Sequence, residues 1–319
     1  HELIKNNWAK GREILVVTFT KAAATQMQAR FGKKEMGVTF ATFHSIFFRI
    51  LRQAYGYGVE QIVSEEERRR LILEFIQKQD WNIADIDEYV SKMIAELSVM
   101  ASEMIEPYRF EPQRLPQEEF QAVYQMYEAY KERVDKLDFD DMMVRCYALL
   151  STDGTVLNYW RKRFRYIMVD EFQDINQVQY QCIQLLAQPD NNLFVVGDDD
   201  QSIYRFRGAR PDFILKFGEV YPQSARVVLD VNYRSTDTII SVAKGIIAKN
   251  KNRYEKNLTG VQGLGDAAVF HLAEDLSAEA QFVTEKIAIL MEEGILPEEI
   301  AIFYRTNIQS SAFVLSLYQ

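Results

Sequence analysis

The sequence has little of what builds metal centres and disulfide frameworks. Its only cysteines are Cys146 and Cys182, which stand in no paired motif, and its only histidines are His1, His44 and His271. So few ligands at these spacings exclude a zinc set and a disulfide-stapled fold. Two unpaired thiols are typical of a reducing compartment, and we expect a cytoplasmic location.

Long apolar runs are also missing. The longest, at residues 166–169 and 192–197, have the length of a β-strand and fall far short of a bilayer span. We therefore expect no association with a membrane. The opening residues show no positively charged leader before an apolar stretch, and they predict the interior of a helix instead.

Positive charge is in deficit. The chain has 37 Lys and Arg against 46 Asp and Glu, a formal net charge of −9. Proteins that coat nucleic acid by bulk charge draw their phosphate affinity from clustered Lys and Arg. The composition argues against that mode of binding, so any nucleic-acid site must be local.

Strand and helix signals alternate along the first part of the chain. At 319 residues, 48% of them apolar, the chain is long enough for two or three folding units. Apolar runs that suit a buried parallel sheet occupy residues 14–19, 38–43, 166–169 and 193–196. Helical patterns follow at residues 21–31, 45–55 and 177–186, the last with Asp174 as its expected N-cap. The alternation predicts a doubly wound α/β layer whose ligands gather at the carboxyl ends of the strands.

Helical periodicity alone marks the stretch from residue 61 to residue 135. Helices are predicted at residues 65–79, 86–104 and 117–134. We interpret the stretch as an all-helical insertion that splits a first α/β domain into residues 1–60 and 136–226. From residue 227 the alternation restarts, with strands predicted at 226–230, 267–272 and 300–304 and helices at 237–250 and 278–293. Residues 227–319 are therefore expected to be part of a second α/β domain.

The most informative segment runs from Tyr166 to Asp174. A buried strand there delivers two adjacent carboxylates, Asp170 and Glu171, at its carboxyl end. A phosphate-bound Mg²⁺ needs a hard oxygen ligand at such a place, and an attacking water needs a base or an orienting group. For two carboxylates alone, an acidic turn after a strand explains the pattern equally well.

The next strand leads into a segment that carries Gln201, an uncharged donor and acceptor that could bond a terminal phosphate. Just downstream, Tyr204 and Phe206 alternate with Arg205 and Arg207, as in a surface that stacks bases and holds phosphates. As a bare pattern, the alternation also fits an amphipathic strand.

A third candidate lies at residues 229–235. Arg234 has the planar fork that neutralises charge on a transferring phosphoryl group, and Tyr233 could cover the face of a nucleobase. Taken alone, an Arg beside a Tyr is most often a surface pair.

In order and spacing, these segments resemble the motifs of the UvrD/Rep/PcrA-type superfamily-one DNA helicases. The matching strings are Val17-Thr-Phe-Thr-Lys-Ala-Ala-Ala24, Thr39-Phe-Ala-Thr-Phe-His-Ser45, Asp138-Phe-Asp-Asp141, Asp170-Glu-Phe-Gln-Asp174, Gly197-Asp-Asp-Asp-Gln-Ser-Ile-Tyr-Arg-Phe-Arg-Gly208, Asn232-Tyr-Arg-Ser235 and Tyr304-Arg-Thr-Asn307. The resemblance spans almost the whole chain. It implies two RecA-like domains and an ATP-dependent motor that moves 3′-to-5′ on single-stranded DNA.

The resemblance also implies roles at the ATP site. Asp170 would hold Mg²⁺, Glu171 would activate or orient the attacking water, and Gln201 would sense the γ-phosphate. Arg234 would act as an arginine finger, and Tyr233 would stack on the adenine.

For DNA, the resemblance implies aromatic stacking by Phe19, Tyr204 and Phe206, which tolerates any sequence as a translocating motor requires. The residues implied along the DNA backbone path are Thr42, His44, Arg207, Arg305 and Asn307. His44 has the alternative of a purely structural histidine. The implied partners are single-stranded DNA and duplex junctions, and we expect a monomer.

One part of such a motor is absent from the sequence. No Gly-x-x-x-x-Gly-Lys-Ser/Thr occurs, although this family grips the β- and γ-phosphates with such a loop. By the resemblance, the loop lies upstream of His1 and later motifs lie beyond Gln319, so we expect the chain to be part of a longer protein.

Two other functions remain open at this point. A non-catalytic DNA-binding or regulatory module derived from a helicase would also lack the loop. A metal-dependent nuclease could use Asp170, Glu171 and the carboxylates at 138–141, but it would leave Gln201 and Arg234 unexplained. Those last carboxylates are instead expected to cap a helix that begins near Met142.

Overall fold

The structure is a computed structural model that describes residues 1–32, 37–205 and 208–318, with the side chains of Asn307 and Ile308 excepted. The chain divides into two compact units. The first comprises His1–Val228 and Asn250–Glu255, and the second comprises Leu229–Lys249 and Lys256–Gln319. In the described residues, no helix is long and apolar enough to cross a membrane.

A parallel sheet forms the centre of the first unit. Its strands are β1 (Ile14–Thr18), β2 (Thr39–Thr42), β3 (Tyr166–Val169) and β4 (Leu193–Val195). They lie in the order β2-β1-β3-β4, and every neighbouring pair is parallel. The predicted α/β class and parallel sheet are therefore confirmed. Burial is incomplete at β4, where the Phe194 side chain is 60% exposed.

Helices connect the strands and cover the sheet. In chain order they are α1 (Glu2–Lys5), α2 (Lys21–Phe31), α3 (Phe43–Tyr55), α4 (Glu65–Ile76), α5 (Ile86–Ser102), α6 (Gln117–Val134), α7 (Phe139–Thr152), α8 (Gly154–Arg163), α9 (Gln177–Ala187), α10 (Asp212–Leu215) and α11 (Phe217–Val220). The helices α3, α7 and α9 contribute buried apolar side chains, among them Phe47, Cys146 and Ile183, to the same core as the strands.

One predicted helix cap and one predicted helix start are wrong by a few residues. Asp174 does not cap α9, because it lies in a short 3-10 helix, Phe172–Asp174, and the chain stays extended at Ile175. Asn176, directly before the first helical residue, accepts the Gln179 amide at 3.0 Å instead. Similarly, α7 begins at Phe139 rather than near Met142, because Asp138 already caps it.

The helices α4, α5 and α6 build a core of their own. It contains Ile72, Val90, Met93 and Phe120, all buried. At its base, the amide of Val63 bonds the carbonyl of Leu137 at 2.9 Å. The chain therefore enters and leaves the helical segment side by side. The domain boundaries assigned from sequence remain predictions.

The second unit contains little sheet. Its elements are β5 (Val231–Asn232), α12 (Asp237–Ile247), β6 (Thr259–Gly260), α13 (Leu276–Glu292) and α14 (Asn307–Leu317), and β5 and β6 are parallel. The strands predicted at residues 226–230, 267–272 and 300–304 are wrong for this structure, in which these segments are irregular. A strand requires a neighbouring strand to pair with. In these segments apolar side chains such as Phe270 and Phe303 are about nine-tenths exposed.

Candidate functional site

The carboxyl end of β3 carries the two candidate carboxylates. The amide of Asp170 bonds the carbonyl of Val17 at 2.9 Å, so the ladder with β1 continues up to the site. Glu171 follows with φ 52° and ψ 44°, a left-handed conformation that non-glycine residues rarely adopt and that costs on the order of 1 kcal/mol. The turn leaves the Glu171 side chain exposed while Phe172 is fully buried.

The negative charge of the carboxylates that follow β3 is poorly compensated. Burial and the neighbouring Glu171 together raise the pKa of Asp170, and the same two causes raise the pKa of Asp174 to about 6. The buried oxygens Asp174 Oδ1 and Thr18 Oγ1 make no hydrogen bond within the described residues. Hard oxygen donors with excess negative charge fit a Mg²⁺ that is held by one or two carboxylates and by phosphate oxygens.

The turn after β4 carries Gln201. It is a 3-10 helix, Asp199–Gln201, in which the Gln201 side-chain amide donates to Asp198 Oδ2 at 2.8 Å. Two parallel hydrogen bonds of 2.7 and 2.6 Å join the Arg253 guanidinium to the Asp200 carboxylate. The acidic turn is therefore partly neutralised by Arg253, while Gln201 itself is exposed.

Gln173 was not among the site residues predicted from the sequence. Its side chain is 1% exposed, and it bonds both the Glu171 carboxylate and the amide of Asp198. The sequence signal that could have pointed to Gln173 is an uncharged amide next to two carboxylates in one short string. The sequence does not show that β4 brings Asp198 to the same place.

Two of the predicted base-stacking residues meet in the first unit. Phe19 follows β1, Tyr204 follows the turn after β4, and their ring centroids lie 5.5 Å apart with an interplanar angle of 25°. Both side chains are half-buried. Phe206 and Arg207 lie outside the described residues.

Thr42 and His44 both lie at the start of α3. Thr42 caps the helix, because its hydroxyl accepts the Ser45 amide at 3.3 Å. The His44 ring packs edge-on against Phe139 at 5.5 Å. Burial lowers the pKa of His44 despite the opposing effect of Asp140, which favours the neutral ring. These contacts support the structural alternative for His44.

The remaining predicted residues belong to the second unit. Tyr233 is 71% exposed, and Arg234, also exposed, donates its backbone amide to Asn232 Oδ1 at 2.9 Å. Arg305 is exposed and donates its amide to Gln309 Oε1 at 2.9 Å. The side chain of Asn307 lies outside the described residues.

The carboxylates at 138–141 make ion pairs and a helix cap. Asp138 and Asp141 form a reciprocal capping box at the start of α7. Lys131 Nζ lies 2.7 Å from Asp141 Oδ2, and Arg68 Nη1 lies 2.8 Å from Asp140 Oδ2. No group of three or more His, Cys, Asp or Glu able to hold a metal occurs among the described residues. These contacts assign the cluster to structure and give no support to the nuclease reading.

A parallel α/β layer with polar side chains at adjacent strand ends is typical of proteins that bind ligands at that edge of the sheet. The family comparisons agree with this class. Residues 1–222 match the UvrD/REP helicase N-terminal domain, and residues 227–319 match the UvrD-like helicase C-terminal domain. The chain belongs to the UvrD/REP helicase family, and the resemblance stated from the motifs is confirmed.

Similar curated proteins carry helicase names. The chain is 35% identical to a putative ATP-dependent DNA helicase YjcD of Bacillus subtilis, over 96% of this chain and 41% of that protein. It is also 35% identical to ATP-dependent DNA helicase UvrD1 of Mycobacterium tuberculosis (92% of this chain, 41% of that protein) and to ATP-dependent DNA helicase PcrA of Staphylococcus epidermidis (93% and 42%). The chain thus spans about two fifths of the length of these relatives.

Proposed function

We propose that the protein containing this chain is an ATP-dependent DNA helicase that moves 3′-to-5′ on single-stranded DNA. This chain contributes part of the ATP site and part of the DNA track. One observation carries the proposal: the buried Gln173 joins the Glu171 carboxylate after β3 to the start of the Gln201 turn after β4. The names of the relatives, which are ATP-dependent DNA helicases, support DNA as the substrate.

At the ATP site, Asp170 would hold a Mg²⁺ ion, which would supply charge neutralisation at the phosphates. Glu171 orients the attacking water and accepts its proton, and Gln201 donates a hydrogen bond to the γ-phosphate. Arg234 neutralises the charge that develops on the transferring phosphoryl group, and the exposed Tyr233 ring stacks on the adenine.

On the DNA track, the stacked Phe19 and Tyr204 rings offer aromatic faces to the bases. Phe206, which lies outside the described residues, is proposed for the same role. The residues proposed along the DNA backbone are Thr42, His44, Arg207, Arg305 and Asn307. The proposed partners are single-stranded DNA and duplex junctions, and the cytoplasmic location and monomeric state remain predictions.

An ATP-dependent motor of this kind needs a phosphate-binding loop, and this sequence does not contain one. The proposal therefore assigns that loop to another part of the protein. The relatives are more than twice as long as the stretch matched here. We propose that the full-length protein supplies a Gly-Lys-Ser/Thr loop upstream of His1 and that this chain alone does not turn over ATP.

The deciding experiment measures ATP turnover by the full-length protein with and without single-stranded DNA. We expect DNA to stimulate turnover and Glu171→Gln to lower kcat by about 10²- to 10⁴-fold, because the variant cannot accept a proton. The exposed Glu132→Gln serves as the matched control and should leave kcat unchanged. A full-length protein that binds DNA but never hydrolyses ATP would favour the non-catalytic module instead.

Polarity has a separate test. Duplexes with a single-stranded 3′ tail should be unwound and those with a 5′ tail should not. Unwinding from the 5′ tail alone would reverse the proposed direction and leave the ATPase proposal intact.

A further inference from the structure

Gln173 uses its whole side-chain amide in hydrogen bonds at the site. Its Nε2 donates to Glu171 Oε2 at 2.8 Å and to Asp174 Oδ2 at 3.2 Å. Its Oε1 accepts the backbone amide of Asp198 at 3.0 Å. One buried side chain therefore joins the end of β3 to the start of the turn after β4.

The chemistry of the partners determines which way the amide points. Ionised carboxylates only accept hydrogen bonds, and a backbone N–H only donates. A flipped amide would place its carbonyl oxygen against two carboxylates and its NH₂ group against the Asp198 N–H. The observed orientation is therefore the one that satisfies every partner.

The backbone at Gly197 permits this close approach. A Cβ at that position would lie 2.5 Å from Gln173 Oε1 and 3.1 Å from the Phe172 nitrogen. A side chain there would push the β4 end away from Gln173. The glycine and the glutamine thus form one tightly packed junction.

We propose that Gln173 is a positioning residue that holds the Glu171 carboxylate at a set place relative to the Asp198–Gln201 turn. This inference rests on the proposed function, because it assigns the attacking water to Glu171 and the γ-phosphate to Gln201. The connection to the turn continues through Asp198, whose Oδ2 accepts from Gln201 Nε2 at 2.8 Å.

Such a tether matters because Glu171 is exposed and its side chain has several rotatable bonds. A hydrogen bond from a rigid, buried donor restricts those rotamers before ATP arrives. Misplacing a reacting group by about 1 Å can cost up to about a hundredfold in rate. The tether therefore acts on the chemical step rather than on ATP binding.

Two substitutions distinguish the hydrogen bonds donated by the Gln173 amide nitrogen from the one accepted by its oxygen. Gln173→Glu keeps an oxygen that accepts the Asp198 amide but loses both donors toward Glu171 and Asp174. Gln173→Met keeps the approximate length and volume and loses both ends. Gln179→Met is the matched control, because Gln179 is also a buried glutamine, 4% exposed, whose Oε1 accepts a backbone amide, that of Asn176.

The measurements are kcat and KM for ATP in the full-length protein at saturating single-stranded DNA, with amide hydrogen exchange at Asp198. We expect both Gln173 variants to lower kcat by about 10- to 100-fold with little change in KM. Exchange at Asp198 should accelerate in Gln173→Met and stay slow in Gln173→Glu. Gln179→Met should retain the wild-type kcat.

Wild-type kcat in Gln173→Glu, or a raised KM with unchanged kcat, would overturn the positioning role while leaving the helicase proposal standing. Unchanged Asp198 exchange in Gln173→Met would overturn the tether. A wild-type protein without DNA-stimulated ATP turnover would instead overturn the proposed function, and the positioning role with it, whatever the exchange shows.

Discussion

At the scale of single residues, Asp174 carries a charge that its surroundings disfavour. It is 9% exposed, and burial together with Glu171 raises its pKa to about 6, against about 3.9 for an aspartate in an unfolded chain. The folded chain therefore binds this proton more tightly than the unfolded chain does. The resulting penalty on stability is present above pH 6 and disappears as the pH falls toward 4.

Replacing Asp174 with Asn should remove that penalty, because Asn is neutral at every pH and still accepts a hydrogen bond from Gln173. We expect Asp174→Asn to raise the free energy of unfolding by about 1–3 kcal/mol at pH 7.5 and by much less at pH 4.5. Urea unfolding followed by tryptophan fluorescence measures this. The exposed Asp80→Asn is the control, and an equal gain for Asp174→Asn at both pH values would contradict the prediction.

The backbone conformation of Glu171 could not be predicted from the sequence. The motif identified it as the candidate base, but nothing in the string predicts a left-handed backbone at a glutamate. That conformation arises because the chain must turn from β3 into a 3-10 helix whose Phe172 is buried in the core.

At the scale of elements, a buried ion pair joins α4 to the start of α7. Arg68 Nη1 lies 2.8 Å from Asp140 Oδ2 and 4.0 Å from Asp138 Oδ2, and the Arg68 side chain is 3% exposed. Removing one partner of such a pair leaves a buried charge without compensation. The pair therefore contributes to holding the helical segment on the rest of the first unit.

We expect Arg68→Met to lower the free energy of unfolding by about 3 kcal/mol or more, because Asp138 and Asp140 lose their guanidinium. The adjacent Arg69 pairs with Asp87 at the surface, with side chains 40% and 76% exposed, so Arg69→Met should cost less than about 1 kcal/mol. Fluorescence-detected urea unfolding compares the two. A similar loss of unfolding free energy in both variants would contradict the expected difference between the buried and the surface ion pair.

Element boundaries follow local chemistry closely in the first unit and less well in the second. The observed α2, α6 and β3 have the predicted bounds, because capping residues and apolar periodicity act over a few neighbouring positions. The three strands predicted in the second unit fail for the opposite reason. Apolar alternation marks a segment that is able to join a sheet, but the sheet needs a neighbouring strand.

At the scale of the whole molecule, the chain returns to its first unit after leaving it. Residues 250–255 lie beyond residue 227, where the second domain was predicted to begin, yet they belong to the first compact unit. Arg253 binds the Asp200 carboxylate, and the Tyr254 amide donates to Asp199 Oδ2 at 2.9 Å. This short segment therefore fastens onto the turn that carries Gln201.

Arg253→Ala should loosen that attachment, because both hydrogen bonds to Asp200 are lost. We expect severalfold faster amide exchange at Tyr254 and no change from the exposed Lys251→Ala, which lies in the same segment. Hydrogen exchange read by mass spectrometry checks both. Equal exchange in the wild type and Arg253→Ala would show that the hydrogen bonds of Tyr254 hold the segment without Arg253.

The sequence by itself determined the family, the parallel α/β class, the helical segment and the identity of the candidate carboxylates. These follow from ordered motifs and from patterns that act over one or two turns of helix. Only the tertiary structure decided that Gln173 meets Asp198, 25 positions away, and that Arg68 meets Asp140, 72 positions away. Such contacts depend on which strands and helices become neighbours, and that is set by the packing of the whole core.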